Sequence, residues 1–318
     1  MAAQITRRVG PQLSFAEQAT RTAPNAASNR GRLLAVEVGL HVRTRYGMVS
    51  LHRASDLALV SHPEELAQVA LHVGRLQIER LTESVAISAG NFKMGSVELG
   101  QREMDVTLTK GYRIGKFPVT NKLFRLYMEA NDLEVPDQLQ RVFDPAYGDH
   151  PVVNIMWGEA KDFCTWLTSL KLTNPQTGRE RTFRLPTEAE WERACRGTSG
   201  QKYAWGDEAP DISRAVFDTD GTQPVGPGLR PAGATKEGAH DMTGNVLEWV
   251  ADAFVGPDER PGGTDPFVQP SNEDIINVLH VQKGGPFLHR GEYLLGANRG
   301  PISTVGRDDD VGFRFAED

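Results

Sequence analysis

The stretch from Gln282 to Phe315, QKGGPFLHRGEYLLGANRGPISTVGRDDDVGFRF, carries the clearest information about the fold of this 318-residue chain. Gly284-Gly285 stands near its start and Gly312-Phe313-Arg314 near its end. Glycine has no Cβ atom, so it suits tight turns and the close approach of backbones. A loop that such anchors hold at both ends can change its interior without disturbing the fold. We therefore predict a stiff frame that displays residues 286–310 as a surface.

The sequence RLPTEAEWE, from Arg184 to Glu192, is the most specific local motif of the chain. Thr187 suits the N-cap of a helix, and Glu190 lies at the third helical position, so the two predict a capping box. The acidic side chains of this turn would also face the positive end of the helix dipole. A cluster of catalytic carboxylates is the competing interpretation of the same residues.

Two further blocks accompany this motif, YAWGD at Tyr203–Asp207 and GAHDMTGNVLEW at Gly238–Trp249. Together with the C-terminal pattern, they resemble the formylglycine-generating-enzyme/sulfatase-modifying-factor family, whose domain has a C-type-lectin-like fold. For residues 85–318 the resemblance implies an α+β fold of the formylglycine-generating-enzyme type, with two helices packed on short antiparallel sheets and much irregular loop structure. It also implies that the carboxylates of RLPTEAEWE are structural.

Catalytic members of the family carry two cysteines shortly after the Gly-Gly pair. These cysteines bind copper and oxidise a cysteine of a client sulfatase. The corresponding interval here, residues 286–293, contains no cysteine. Leucine or histidine does not reproduce the chemistry of a thiolate nucleophile or soft-metal ligand. We therefore expect the fold without the oxidase chemistry, no bound copper and no catalytic residues.

The block from Gly238 to Trp249 corresponds to a loop that wraps a calcium ion in relatives. The resemblance implies that Asp241 and Glu248 are side-chain ligands and that Gly244 and Val246 offer backbone carbonyls. Oxygen ligands of this kind suit Ca²⁺. In the alternative interpretation, the two carboxylates only accept hydrogen bonds from loop amides.

The N-terminal part divides into a flexible basic arm of residues 1–30 and a small helical or mixed extension of residues 31–84. Within the extension, Ser61 and Glu64 fit a capping box for an amphipathic helix that ends at about Glu83. Residues 1–53 contain eight arginines and two glutamates, net +6, whereas the remainder carries −13. This acidic body argues against nucleic-acid binding. The arm could contact an acidic partner or the protein's own body.

Four of the eight histidines, His41, His52, His62 and His72, lie in this N-terminal part. A related iron-enzyme family joins the same C-terminal domain to a helical bundle with a close His-x-x-x-His-x-Glu cluster. The sequence contains no such cluster, so we interpret these histidines as surface or packing residues.

The two cysteines, Cys164 and Cys195, are too few for a disulfide framework. We expect both to be free thiols that behave as small buried hydrophobes. The sequence contains no run of roughly 20 apolar residues, and its N-terminus has no apolar signal region. We therefore expect a cytoplasmic protein without a membrane span.

Three functions compete for residues 286–310. In the first, the domain is a ligand-binding module that resembles the variable proteins of diversity-generating retroelements, which vary this segment of the same fold. Adenine-directed diversification omits Lys, Glu, Gln, Met and Trp, and only Glu292 belongs to that group between Pro286 and Val311. Aromatic residues beside adaptable polar ones are typical of a paratope. The predicted contacts to an unknown protein or other macromolecule are Phe287, Leu288, His289, Arg290, Glu292, Tyr293, Asn298, Ile302, Thr304, Arg307 and Asp308.

The second interpretation is an enzyme with altered oxidative or hydrolytic chemistry that uses His289, Glu292 and Asp308–Asp310. The spacing of these residues does not define a nucleophile with its base and orienting group. The third interpretation is an inactive paralogue that scaffolds a complex or regulates an active partner. The basic arm and the N-terminal extension would serve such a role.

Overall fold

The computed structural model describes residues 40–51, 63–221, 223–271 and 278–318. The described residues divide into two compact units, one drawn from the ranges 1–80 and 126–134 and one from the ranges 81–125 and 135–318. The predicted basic arm of residues 1–30 lies outside the described residues, as do Ser61, His52 and His62. Within the described part, no helix combines the length and the apolar character that crossing a bilayer requires.

The first unit contains a hairpin and a helix. Strands β1 (Leu40–Thr44) and β2 (Gly47–Leu51) pair antiparallel, and α1 spans Pro63–Leu81. The helix predicted in this region is therefore present. His41 lies in β1, and His72 is exposed on α1.

The second unit contains short strands arranged in three sheets. They are β3 (Ser84–Ile87), β4 (Gly90–Met94), β5 (Met104–Leu108), β6 (Tyr112–Gly115), β7 (Phe183–Arg184), β8 (Leu247–Ala253), β9 (Gly263–Thr264), β10 (Leu279–Gly284), β11 (Arg299–Ser303), β12 (Val311–Phe313) and β13 (Ala316–Glu317). The strand orders are β11-β10-β8-β12, β3-β6-β13-β7 and β4-β5-β9. Pairing is antiparallel except between β12 and β8 and between β5 and β9.

The helices after α1 are α2 (Asn121–Ala130), α3 (Trp157–Ser169) and α4 (Glu188–Arg196). Long irregular segments connect the elements, with 3-10 turns at Val97–Leu99, Asp137–Phe143, Pro145–Tyr147, Pro231–Gly233 and Gly291–Leu294. Short antiparallel sheets, few helices and long loops confirm the predicted α+β architecture.

The last residues of the chain connect two of the sheets. Strand β12 lies beside β8 in one sheet, and β13 lies between β6 and β7 in the next. Between them stands Arg314, whose side chain is fully buried. The ring of Phe313 packs edge-on against Phe163 of α3, with the ring centroids 5.2 Å apart. The Gly-Phe-Arg anchor therefore lies in the core of the domain.

Helix α4 begins as its sequence predicts. The Thr187 hydroxyl accepts a hydrogen bond from the Glu190 amide, and the Glu190 carboxylate accepts one from the Thr187 amide. This is the predicted capping box, which satisfies two of the free amides at the helix start.

The inner face of α4 presents two carboxylates to a buried cluster of arginine and lysine side chains. Glu192 is fully buried and binds Arg196 (2.7 Å), Arg260 (2.8 Å) and Lys283 (2.9 Å). One turn earlier, Glu188 binds Arg260 and Arg299, each at 2.7 Å. The carboxylates of the motif thus form salt bridges with basic side chains from distant parts of the chain. This arrangement supports the interpretation that the carboxylates of RLPTEAEWE are structural.

Electrostatics inside this cluster favours the charged form of Glu192. Burial by itself raises the pKa of a carboxyl group. Here Lys283, Arg260 and Arg196 outweigh burial and hold the pKa of Glu192 well below its usual range. Glu192 is therefore ionised at neutral pH and compensates the cations around it.

Replacing Glu192 with glutamine should lower the free energy of unfolding by about 3–5 kcal/mol, because the variant leaves buried cations without their anion. Denaturant unfolding at neutral pH measures this loss. Because the folded pKa is depressed, the contribution of Glu192 is present at neutral pH and is lost as the pH falls below the ordinary value of 4.5.

The matched control is Glu98→Gln, since Glu98 pairs with Lys202 while both side chains are nearly half exposed. We expect this change to cost less than about 1 kcal/mol. Equal losses in the two variants would contradict a special role for the buried cluster.

Candidate functional site

Both ends of the C-terminal segment are fixed by buried ion pairs. Near its start, the Lys283 ammonium binds Glu192. Near its end, the Arg314 guanidinium binds both carboxylate oxygens of Glu248, each at 2.7 Å, and donates to backbone carbonyls of residues 115 and 240. The Arg299–Glu188 pair holds the middle of the segment. The predicted stiff frame is therefore built from charge pairs as well as from glycines.

Gly284 and Gly285 allow the chain to turn sharply after β10. Gly284 has a φ of +93°, which favours glycine. A Cβ atom on Gly285 would lie 2.7 Å from the Tyr293 carbonyl oxygen and from a methyl carbon of Leu294. The returning loop therefore packs directly on the Gly285 backbone, which leaves no room for a side chain.

Phe287 is fully buried, so its prediction as an exposed aromatic contact is wrong. Its amide donates to the Asn245 carbonyl at 3.0 Å, and its carbonyl accepts from the Thr219 amide at 3.0 Å. The Asn245 side chain in turn exchanges two hydrogen bonds with the Val225 backbone. Phe287 is thus a core residue that anchors the loop between two neighbouring segments.

The residues after Phe287 form an exposed patch, which we call the tip surface and define as residues 288–293. Its exposed side chains are Leu288, His289, Arg290, Glu292 and Tyr293. Leu288 and Tyr293 are each 46% exposed, and the rings of His289 and Tyr293 meet edge-on with centroids 5.0 Å apart. Leu294, the next residue, is fully buried. The tip surface is therefore bounded by a buried anchor on either side.

The tip surface rests on a loop that the sequence did not single out. The Asp218 amide donates to the His289 carbonyl at 2.9 Å. A Cβ atom on Gly291 would lie 3.0 Å from Pro210 and 3.4 Å from the ring of Phe217. Ile212, in the same loop, is 78% exposed. The loop has no periodicity, so its sequence carried no signal for this packing.

Two of the predicted contacts in the second half of the segment, Asn298 and Thr304, donate side-chain hydrogen bonds to the backbone. The Asn298 amide nitrogen donates to the Tyr293 carbonyl at 3.0 Å, and Ile302 is half-buried on β11. Thr304 is buried, and its hydroxyl donates to the Val278 carbonyl at 2.7 Å. The prediction of Thr304 as a surface contact is therefore wrong, because its hydroxyl serves the backbone of a neighbouring segment.

Arg307 also has a partner within the protein. Its guanidinium forms two bonds to the Glu159 carboxylate, at 2.7 and 2.8 Å, and one to the Asn154 carbonyl at 2.6 Å. Glu159 accepts a further bond from the Met156 amide at the start of α3. The Arg307 side chain thus ties the segment to a helix terminus, and its contact with a ligand stays a prediction.

Acidic side chains border the tip surface. Asp308 and Asp309 are exposed, whereas Asp310 is buried. Burial and the neighbouring Asp308 raise the pKa of Asp310 to about 6, and nearby His289 opposes this effect. The predicted contact Asp308 is thus displayed to solvent next to this buried carboxyl group.

Both cysteines of the chain are buried, free thiols, as predicted. Cys164 lies on α3 and Cys195 on α4, so neither belongs to the C-terminal segment. Burial raises the pKa of Cys195 to about 12 and raises the pKa of Cys164 further. Neither group is a thiolate at neutral pH, which is the form that binds copper and reacts with oxidants.

The predicted calcium ligands have other partners in this structure. Glu248 accepts from Arg314 and from the Trp191 indole (2.7 Å). The Gly244 carbonyl accepts from the Val246 amide at 2.9 Å. Asp241 is 8% exposed, and its Oδ2 atom accepts from the Gly228 amide at 2.6 Å, which leaves Oδ1 without a donor among the described residues.

The fit of this set to calcium is therefore partial. A guanidinium already neutralises Glu248, whereas burial raises the pKa of Asp241 to about 6 because no cation fully compensates it. The described residues contain no group of three or more acidic, histidine or cysteine side chains that could hold a metal ion. Calcium binding stays a prediction that rests on Asp241.

The sulfatase-modifying factor enzyme 1-like domain matches residues 71–318. The serine/threonine-protein kinase pkn1 of Chlamydia caviae is 34% identical over 74% of this chain and 38% of its own length. The formylglycine-generating enzyme of Bos taurus is 30% identical over 54% of this chain and 44% of its own. The chain thus spans less than half the length of these two relatives.

Solved structures share the fold. Treponema denticola variable protein 1 is 22% identical with a TM-score of 0.60, covering 73% of this chain and 94% of the other. PvdO from Pseudomonas aeruginosa is 23% identical with a TM-score of 0.60, covering 74% and 94%. The fold is therefore the predicted C-type-lectin-like one, and the chain belongs to the sulfatase-modifying factor enzyme 1-like family.

Proposed function

We propose that this protein is a non-catalytic binding module that displays the tip surface to another protein or macromolecule. The proposal rests on one observation: five exposed side chains lie between two fully buried residues, Phe287 and Leu294. Because hydrogen bonds fix the backbone beneath them, their side chains are free to serve recognition. A cytoplasmic location stays a prediction from the sequence.

The chemistry of the tip surface supports recognition. Tyr293 and Leu288 offer apolar area with few rotatable bonds, and His289, Arg290 and Glu292 offer adaptable polar groups. Exchanging such exposed residues usually changes stability by no more than about 0.5 kcal/mol. The surface can therefore change its specificity without loss of fold, which is the property that a variable protein needs.

The DNA around the gene tests this proposal. We expect a reverse-transcriptase gene and a near-copy of the final coding segment that differs at adenines. Among copies of the gene from a growing population, substitutions should occur at the codons for 288, 289, 290 and 293 and spare those for Phe287 and Leu294. A segment that is invariant in every copy, with no near-copy nearby, would contradict the diversification proposal.

Formylglycine formation is not expected of this chain, since its two thiols are buried on helices outside the C-terminal segment. The assay incubates the protein with copper and a cysteine-containing sulfatase peptide and follows the loss of the thiol by mass spectrometry. A catalytic formylglycine-generating enzyme serves as the positive control. Turnover by this protein would refute the non-catalytic proposal.

We further propose that calcium binds at the Asp241 loop and offsets the cost of burying that carboxylate. Because the folded pKa of Asp241 is raised to about 6 from 3.8, the metal-free protein loses stability as the pH rises between these two values, and the loss is complete above about pH 6. A bound cation would remove this penalty. The stabilisation by a ligand at a hundredfold its Kd is about 2.7 kcal/mol.

Calcium should raise the Tm at neutral pH by roughly 5–10 °C at that saturation. The Asp241→Asn variant should melt higher than the parent in chelator and should lose the response to calcium. Asp265→Asn is the control, because Asp265 shares a positive φ (+44°) but is exposed. A parent protein whose Tm is the same in calcium and in chelator would contradict the calcium proposal.

A further inference from the structure

A cleft of about 680 Å³ lies between α3, the start of α4 and the loop at 267–271. This volume falls within the range of small-molecule sites. Its walls are largely apolar and include Trp157, Phe183, Leu185, Phe267 and Val278. None of its lining residues belongs to the tip surface, so the cleft is separate from the binding surface proposed above.

His280 provides a buried polar group in this cleft. Its side chain is 1% exposed and stacks on Trp157, with ring centroids 3.9 Å apart. Its Nδ1 atom lies 3.2 Å from the Asp252 carbonyl oxygen and is therefore the protonated, donating nitrogen. Nε2 then carries a lone pair and has no partner among the described residues. A ligand that places a hydrogen-bond donor here would meet an acceptor.

Burial keeps this imidazole neutral. It lowers the pKa of His280 to about 4. Nε2 is therefore an acceptor at neutral pH, and a ligand in the cleft that donates to it gains a hydrogen bond.

Two side chains of opposite charge line the same cleft from α3. Lys161 is exposed, with its ammonium 5.2 Å above the Trp157 ring, and it forms no salt bridge with any described residue. Asp162 follows it and is also exposed. Arg184 also lines the cleft, but its charge is already paired within the protein by Glu190 and Asp318.

We propose that this cleft binds a small aromatic zwitterion, an α-amino acid whose ring carries an N–H or O–H donor. Its carboxylate would face Lys161, its ammonium Asp162 and its ring donor the Nε2 atom of His280. The apolar walls would cover the ring. Each polar group of such a ligand thus has a side chain of complementary charge or hydrogen-bonding character in the lining of the cleft.

The probe is L-tryptophan, measured by saturation-transfer NMR and calorimetry on the full chain. Three analogues each lack one group: L-phenylalanine the ring donor, tryptamine the carboxylate and indole-3-propionate the ammonium. We expect saturable binding of L-tryptophan and roughly tenfold weaker binding of each analogue.

Variants assign each contact. Lys161→Met should weaken L-tryptophan roughly tenfold and leave tryptamine unchanged, and Asp162→Asn should weaken L-tryptophan and leave indole-3-propionate unchanged. His280→Phe should abolish the preference for L-tryptophan over L-phenylalanine. Lys110→Met, at an exposed lysine outside the cleft lining, is the control and should bind like the parent.

Two results would overturn the proposal. One is the absence of saturable L-tryptophan binding at concentrations up to about 10 mM. Even a weak site of this size should bind its ligand with a Kd below that concentration. The other is equal affinity in the parent and in Lys161→Met, a variant of an exposed residue whose fold is checked by its Tm. The second result stands even if His280→Phe fails to fold.

Discussion

Four glutamates that precede the C-terminal segment by many residues form salt bridges with basic side chains of that segment and thereby fix its position. Lys283 binds Glu192, Arg299 binds Glu188, and Arg314 binds Glu248, all in the buried interior. Arg307 binds Glu159 nearer the surface. Such pairs are not in themselves a large gain in stability, but separating one leaves a buried charge uncompensated. They therefore specify where the segment enters and leaves the core, and the glycine anchors allow the turns between these points.

This arrangement separates support from display within one short stretch. The buried residues Phe287 and Leu294 belong to the core, whereas the five exposed side chains between them make no contribution to the ion pairs. The backbone of this stretch accepts hydrogen bonds from the amides of residues 218 and 219 and donates one to the carbonyl of residue 245. Recognition can therefore change while the supporting interactions stay constant. The aromatic cleft on α3 uses other residues and adds a second, chemically distinct site to the same domain.

Much of the fold could be predicted from the sequence where interactions between neighbouring residues determine the local structure. The capping box at Thr187 and Glu190 involves neighbours three residues apart, and the glycine anchors reflect local backbone geometry. Burial within the irregular loops could not be read in this way. Phe287 and Tyr293 look equivalent in sequence, yet one lies in the core and the other at the surface. Arg307 has a partner 148 residues away that no spacing indicates.

The central claim is that ion-paired anchors hold the segment while the tip surface is exchangeable. Saturation mutagenesis of residues 282–315 tests it most directly. The variants are displayed on a cell or phage surface, and the measured quantity is the fraction of each variant that resists protease because it is folded. The account predicts broad tolerance at 288, 289, 290, 292 and 293, and intolerance at Lys283, Phe287, Arg299 and Arg314. Equal intolerance across the tip surface and the anchors would contradict it.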